Sequence, residues 1–280
     1  MKKLHSVFFI VLVFFGCSTN PLTGEKTMAF INNRTLFPMS FSEYDDFLND
    51  PAVKVVKRGD RSFTESDFQN MDMVTRVGEK LATAAQKWLE DAGDKYYLKD
   101  YKWEYNLVKD NQVNAWCMPG GKIVVYTGIL PVTQNEDALA VVLGHEISHA
   151  LLNHGQQRMS AGLLQQLGAL VLGLAVSGQS ETTQGLLLAA YSVGTTVGGM
   201  LPFSRSNESE ADKYGLFLMT IAGYTPEESV PFWQRMAALS GGGGLEFLST
   251  HPDSGRRSRE LEGWIPEAKQ KAAKINGTGK

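Results

Sequence analysis

The sequence has few cysteines and no marked excess of charge of either sign. Its 280 residues include 2 cysteines, 27 Lys and Arg, and 30 Asp and Glu, which gives a formal net charge of -3. No basic surface with interleaved aromatic residues is apparent, so we expect no nucleic-acid partner. The composition is 43% hydrophobic and 20% charged, which is typical of a globular protein of one large or two small domains.

The N-terminus lacks an apolar run long enough to span a bilayer. Two lysines precede the apolar residues 7–15, which is typical of a signal peptide over residues 1–16. Cys17 follows directly, in a pattern that resembles a bacterial lipoprotein processing site. Ser18 in place of Asp favours the outer membrane, so we expect lipid anchoring through Cys17 on its periplasmic face. A plain signal peptide or an uncleaved anchor is the alternative.

Composition divides the rest of the chain into three parts. Residues 17–65 are polar and irregular, which predicts a lipid-anchored tether with short wrapping elements. Residues 66–265 are expected to fold as one domain, and residues 266–280 to form a basic flexible tail. If Cys17 carries lipid, Cys117 has no partner for an intrachain disulfide, and we expect it to be buried and inert.

Residue periodicity predicts an α+β fold that is mainly helical and has a small β-sheet. Apolar residues three and four apart between 74 and 88 predict a helix, and alternation over 103–107 predicts a strand. Two further extended runs meet at Gly120–Gly121, which predicts a β-hairpin. Asn135 is predicted to cap a helix that ends near Gly155.

Two stretches, residues 161–178 and 185–200, are moderately apolar but shorter than a usual membrane span. Both are interrupted by glutamine, serine or threonine. We expect a pair of helices packed on the domain, and a membrane hairpin is the alternative.

The run GHEISHALLNHG, residues 144–155, concentrates the histidines of the chain. His145 and His149 are four apart and share one helix face, so both can bind one ion, with Glu146 beside them as a base. Apolar neighbours predict burial, which would be costly without a partner and therefore favours a bound ion. The alternative is two surface histidines on an amphipathic helix. His154 falls on the opposite face of a continuous helix and is interpreted as structural.

A catalytic zinc ion needs a third protein ligand, and the stretch SRSNESEAD at 204–212 offers candidates. Glu208 and Asp212 share a helix face, which Glu210 does not. A ligand with a supporting carboxylate one turn later fits this spacing. The alternative is a solvated acidic turn, and the spacing alone does not decide between Glu208 and Glu210.

Four motifs occur in a fixed order: NAWCMPGG at 114–121, HEISH, ESEAD, and STHP at 249–252. Together they resemble the family of zinc metallopeptidases that includes HtpX, the CAAX prenyl proteases and the periplasmic lipoproteases LoiP and BepA. The resemblance extends over roughly residues 70–260. It implies that residues 66–265 are a zincin-like metallopeptidase domain with one zinc ion per chain.

The resemblance also implies a role for each matching residue. His145, His149 and Glu208 would be the zinc ligands, Glu146 the catalytic base, and Asp212 a support for the site.

Asn114, Ala115, Gly120 and Gly121 would belong to an edge strand that borders the active-site cleft and binds an extended peptide by strand addition.

His251 would lie over the active site, either as a catalytic donor or as a plug in the open zinc position, with Arg257 as its partner. The alternative for His251 is a helix cap.

These expectations lead to one main hypothesis, a zinc endopeptidase that acts on misfolded or misassembled envelope proteins. A second hypothesis is a non-proteolytic zinc-binding chaperone or assembly lipoprotein whose site is closed by His251. A third is an integral membrane protease that uses the apolar segment between residues 161 and 200.

Overall fold

A computed structural model describes residues 17–239, 247, 251 and 256–277. Within these ranges the chain is mainly helical with few strands, so the predicted α+β class is confirmed. The strands are β1 (Cys17–Thr19), β2 (Lys26–Met28), β3 (Glu104–Val108), β4 (Ala115–Met118) and β5 (Lys122–Tyr126). The helices are α1 (Asn33–Asn49), α2 (Glu65–Asp91), α3 (Leu130–Thr133), α4 (Glu136–Leu151), α5 (His154–Ala175), α6 (Glu181–Thr195), α7 (Leu201–Ile221), α8 (Ser229–Leu239) and α9 (Arg257–Ile275).

The larger sheet has the order β3-β5-β4, with β3 parallel and β4 antiparallel to β5. Strands β4 and β5 form the predicted hairpin. Its turn needs Gly120 and Gly121, because their φ angles are 87° and 90° and only glycine adopts such values without strain. The side chains of Phe41 and Trp103 also occupy the space that a Cβ atom would need there. Among the described strands β4 pairs only with β5, so it is an edge strand, as predicted.

Helix α4 lies at the centre of the domain, against α2, α7 and β4. It is apolar on nearly every face, and Leu139, Leu143 and Ile147 are fully buried in the main core. A helix that is hydrophobic all round belongs inside a protein. Any polar side chain on this helix is therefore held in the interior.

Helix α2 is the amphipathic helix expected from the spacing of its apolar residues. It begins with a capping box, in which Thr64 and Asp67 bond to each other's backbone N–H groups. Asp67 also accepts a hydrogen bond from Lys109 Nζ at 2.8 Å. These contacts fix the start of α2 against the end of β3.

The two apolar stretches do not pack on the domain, so that expectation is wrong. Helices α5 and α6 contact each other, and no described residue between Ser160 and Asn207 is fully buried. On α5, Leu167, Leu170 and Leu174 are 50%, 60% and 69% exposed. We call residues 161–204 the apolar hairpin. The hairpin consists of α5 after Ser160, all of α6, and the start of α7. These helices leave the core because α5 and α7 are longer than the part of each that packs on the domain.

The two ends of the described chain are more ordered than the sequence suggested. The segment 17–65 contains α1, where Tyr44 is fully buried and donates to the Ile123 carbonyl at 3.1 Å. The tail expected from residue 266 is wrong as far as Ile275, since α9 continues through it and buries Ala268 and Ala272. Residues 1–16 and the four-glycine run at 241–244 lie outside the described residues.

Candidate metal centre

Helix α4 carries the first three predicted site residues, His145, Glu146 and His149. The helix begins where Asn135 accepts a hydrogen bond from the Ala138 N–H at 2.8 Å, which is the predicted N-cap. His145 and Glu146 are only 1% and 3% exposed. The helix thus places an imidazole and a carboxylate in the interior, where they need partners.

Helices α4 and α7 touch at Gly144 and Gly215. A Cβ atom on Gly144 would lie 2.8 Å from the Gly215 carbonyl oxygen, and one on Gly215 would lie 2.7 Å from the His145 nitrogen. Because these are main-chain atoms, a side chain at either position would force the two helices apart. This close contact brings Glu208 and Asp212, both on α7, next to His145.

Four side chains converge at this point: His145, His149, Glu208 and His251. One nitrogen or oxygen from each lies within 4.8 Å of the others. His145 Nε2 is 3.0 Å from His149 Nε2 and 3.3 Å from Glu208 Oε2, and His149 Nε2 is 3.5 Å from Glu208 Oε1. The structure therefore joins the histidine pair to Glu208, and Glu210 lies outside the cluster.

His145 is held from behind by Asp212. Its Nδ1 donates to Asp212 Oδ1 at 2.9 Å, and Arg257 donates to both oxygens of the same carboxylate, from Nη2 at 2.5 Å and from Nε at 2.6 Å. Burial alone would raise the pKa of Asp212, but the charge of Arg257 and the bond from His145 hold it below its ordinary value. The Arg257 guanidinium also stacks on Trp233, with its central carbon 3.5 Å from the ring centroid. Asp212 and Arg257 thus support the site without being part of the cluster.

His149 is held from behind by a second relay, which the sequence did not predict. His149 Nδ1 is 2.8 Å from His154 Nδ1, and His154 Nε2 is 3.0 Å from Glu210 Oε2. His154 is fully buried. A carboxylate accepts hydrogen bonds, so Glu210 takes the Nε2–H of His154 and leaves its Nδ1 as the acceptor for His149.

The two relays fix the tautomers of both ligand histidines. Each ring donates its Nδ1–H outward, to Asp212 or to His154, which leaves Nε2 without a proton. The two bare nitrogens are 3.0 Å apart and face the Glu208 carboxylate. Three electron-rich groups at this separation repel one another unless a cation lies among them.

The donor set fits zinc. Two imidazole nitrogens and one carboxylate are the protein ligands of many catalytic zinc sites. Glu208 Oε1 is buried with no hydrogen-bond donor among the described residues. The predicted metal-binding cluster of one ion per chain is therefore confirmed.

Glu146 is not a member of the ligand set. Its Oε1 is buried without a hydrogen-bond donor among the described residues, and His251 Nε2 is 3.4 Å away. Burial raises the pKa of Glu146, and the nearby charges of His251 and His145 reduce this effect. A carboxylate with a raised pKa beside the cluster is suited to accept and return a proton.

His251 completes the cluster from a part of the chain outside α4 and α7. Its Nδ1 is 2.9 Å from Glu208 Oε2 and 3.2 Å from His145 Nε2, and its carbonyl lies 3.5 Å from Arg257 Nη1. The alternative in which His251 only caps a helix does not explain these contacts. Its sequence neighbours at 249, 250 and 252 lie outside the described residues.

The edge strand β4 lies against helix α4, which carries three residues of the site. Burial raises the pKa of Cys117 on β4 well above its ordinary value, and the charge of Glu146 raises it further. Ala115 begins this strand and Asn114 directly precedes it, and the Val113 carbonyl accepts from the Phe247 N–H at 3.4 Å. The strand therefore lies beside the helix that carries His145 and Glu146.

His154 and Glu210 were missed because α4 was expected to continue to Gly155. The helix ends at Leu151, and Asn153 adopts a left-handed conformation with φ of 59°. The chain thus turns at Asn153, and His154 begins a new helix that faces back towards His149. Asn is the residue other than glycine that most readily takes this conformation, so the Asn before His154 was a usable signal.

Known proteins resemble the chain over most of this domain. The sequence model for Peptidase family M48 matches residues 79–265. The mitochondrial metalloendopeptidase OMA1 of Schizosaccharomyces pombe is 38% identical over 62% of this chain and 50% of its own length. That of Saccharomyces cerevisiae is 36% identical over 70% and 56%. The metalloprotease YcaL of Escherichia coli is 28% identical over 79% and 83%.

Two limits follow from these matches. The chain spans about half the length of the OMA1 relatives from the two yeasts. The expected location on the periplasmic face of a bacterial outer membrane is wrong, because the relatives from the two yeasts, and further OMA1 relatives from a plant and from animals, are named as mitochondrial proteins. The predicted lipid anchor on Cys17 loses its support together with that location.

Proposed function

The chain belongs to peptidase family M48, and we propose that it is a zinc-dependent endopeptidase that hydrolyses unfolded or misassembled proteins. The main support for this proposal is the cluster of His145, His149 and Glu208, in which the unprotonated Nε2 atoms of the two histidines are 3.0 Å apart. The relatives named as metalloendopeptidases support the same reaction class.

His145, His149 and Glu208 would hold the zinc ion, which supplies Lewis-acid polarisation of the scissile carbonyl and acidifies water. Asp212 and His154 keep the two imidazole rings oriented through their Nδ1–H groups. Glu146 takes a proton from the attacking water and delivers it to the nitrogen of the departing amine. Its buried carboxylate has a raised pKa, which brings it closer to the pKa that such a proton transfer needs at neutral pH.

Strand β4 supplies the substrate-binding edge. It pairs with β5 on one side only among the described strands, so its other edge is available for an extended peptide. An added strand is held by main-chain hydrogen bonds that do not depend on side chains. Unfolded segments meet this requirement, whereas folded proteins do not offer extended backbone.

The first test replaces Glu146 by glutamine and uses casein as an unfolded substrate. Loss of a general base typically costs a factor of about 10²–10⁴ in rate, and the bound zinc should be unchanged because Glu146 is not a ligand. Glu43→Gln, an exposed position on α1, is the matched control and should cleave like the wild type. Unchanged cleavage by Glu146→Gln with zinc still bound would exclude this mechanism.

A second candidate function rests on the position of His251. Its Nδ1 is 2.9 Å from Glu208 Oε2 and belongs to the potential ligand set. A fourth protein ligand would close the site and leave a zinc-binding chaperone that holds unfolded chains without cleaving them.

His251→Ala separates the two functions. If His251 is a removable plug, the variant should cleave casein at least as fast as the wild type. If it is a catalytic donor, the variant should be slower but still bind zinc. A protein that suppresses aggregation of unfolded substrate, with no cleavage by wild type or variant, would favour the chaperone.

A further inference from the structure

The apolar hairpin has the charge distribution of a membrane-inserted segment. Between residues 161 and 204 the single charged side chain is Glu181, and Arg158 and Arg205 flank the segment. Both arginines are exposed. They lie on either side of the base of the hairpin, where it leaves the domain, and Glu181 lies at the opposite end, in the turn.

The hairpin is also polar inside and apolar outside. Gln165 donates to Thr195 Oγ1 at 2.7 Å, and the Tyr191 hydroxyl donates to the Gln165 carbonyl at 3.3 Å, so these groups are paired between the two helices. A Cβ atom on Gly168 would lie 1.9 Å from the Tyr191 hydroxyl oxygen, so the helices approach closely at a small residue. Interhelical polar bonds and small residues are typical of helix packing in lipid.

The outward face of the hairpin is a stripe of large aliphatic side chains. On α5 this stripe includes Leu163, Leu167, Leu170, Val171 and Leu174, which are 40–69% exposed. The exposed Gln166 is the polar exception on this part of α5. On α6, Leu186 and Val193 are 68% and 62% exposed. In water such a helix pair would turn these side chains inward.

The dimensions match a bilayer. Residues 159–175 form about 26 Å of helix at 1.5 Å per residue, close to the hydrocarbon thickness of about 30 Å. The turn after α5 and the first turn of α6, residues 177–184, consist mainly of Ser, Thr, Gln and Glu. The helix Glu181–Ile221, which includes α6 and α7, is also long and apolar enough to cross a membrane.

We propose that the apolar hairpin, residues 161–204, inserts into a lipid bilayer, with Arg158 and Arg205 at the near headgroups and the polar turn at the far side. Lipid is favoured over a protein partner because the exposed side chains are mainly large aliphatic ones, and Gln166, Ser192 and Thr196 are the exposed polar side chains outside the turn. The base of the hairpin is continuous with His154 and with Glu208. The metal cluster would therefore lie about one helical turn from the membrane surface.

The test places an environment-sensitive fluorophore on Leu170→Cys in the full chain, with Cys17→Ser and Cys117→Ser to remove other thiols and any acyl anchor. The matched control carries the probe on Lys87→Cys, an exposed position on α2. Vesicles contain phosphatidylcholine and phosphatidylglycerol, with a nitroxide quencher midway along the acyl chains in a second batch.

Insertion predicts a blue shift at Leu170→Cys that the acyl-chain nitroxide quenches, and neither effect at Lys87→Cys. A blue shift without vesicles, or one that the nitroxide does not quench, indicates a second copy or a protein partner and overturns the proposal. Vesicle-bound protein with a water-exposed probe at Leu170→Cys overturns it as well, since binding then occurs elsewhere in the chain.

A second variant checks the result without a probe. Leu170→Lys places a charge at the centre of the proposed span, which should weaken vesicle binding on the order of a hundredfold. Zinc content serves as the measure of folding, because the cluster lies in the domain and not in the hairpin. Unchanged vesicle binding by a zinc-loaded Leu170→Lys protein contradicts insertion. This outcome is independent of peptidase activity.

Discussion

Replacing Asp212 by alanine should destabilise the protein by about 3–5 kcal/mol, the usual cost of removing one partner of a buried ion pair. Arg257 is 3% exposed and donates two hydrogen bonds to Asp212. Without the carboxylate its charge stays buried and unpaired. The assay is urea unfolding with a chelator present, so that loss of zinc does not contribute to the difference.

The matched control is Asp72→Ala, which removes an exposed ion pair with Arg58 and should cost about 0–1 kcal/mol. A second arm, Asp212→Ala combined with Arg257→Met, should recover part of the lost stability because no unpaired charge remains. If Asp212→Ala costs no more than Asp72→Ala, or if the double variant is as unstable as the single one, the buried-pair argument is refuted.

Three further predictions concern single side chains. His154→Ala should lower zinc affinity about 10–100-fold, because His149 loses the acceptor that fixes its tautomer. Chelator competition measures this affinity, and a value equal to that of the wild type would contradict the relay. Hydrogen bonds from Lys109 and then from Thr64 lower the pKa of Asp67 to about 2, below about 3.9 in the unfolded chain. The stabilisation by Asp67 is therefore present above pH 4 and lost towards pH 2. Urea unfolding should show a deficit for Asp67→Asn at neutral pH that disappears near pH 2, and a pH-independent deficit would argue against it. Burial raises the pKa of the Cys117 thiol, so maleimide should label the folded protein far more slowly than the urea-unfolded one, and equal rates would show that the thiol is accessible.

The sequence predicted the parts of the site that depend on local spacing. The four-residue interval between His145 and His149 requires one helix face, and Asn135 marked the start of that helix. Resemblance to a family was needed to choose Glu208 over Glu210, because spacing alone placed neither next to α4. The structure supplies the physical reason, which is the contact between Gly144 and Gly215.

The errors have different physical causes. His154 was placed on the wrong face because Asn153 was not recognised as the end of α4. The chain after residue 266 was expected to be flexible because of its basic composition, although Ala268 and Ala272 are spaced to face a core. The apolar hairpin was expected to pack on the domain, since the sequence does not show which side of a helix meets protein.

The contact between Gly144 and Gly215 makes the metal cluster independent of the segment that connects its two halves. The two halves of the metal cluster are separated by the whole hairpin in sequence, yet their alignment depends on two main chains in direct contact. A change within the hairpin would leave this contact in place, whereas any side chain at Gly144 or Gly215 would push the two helices apart and separate the histidine pair from Glu208.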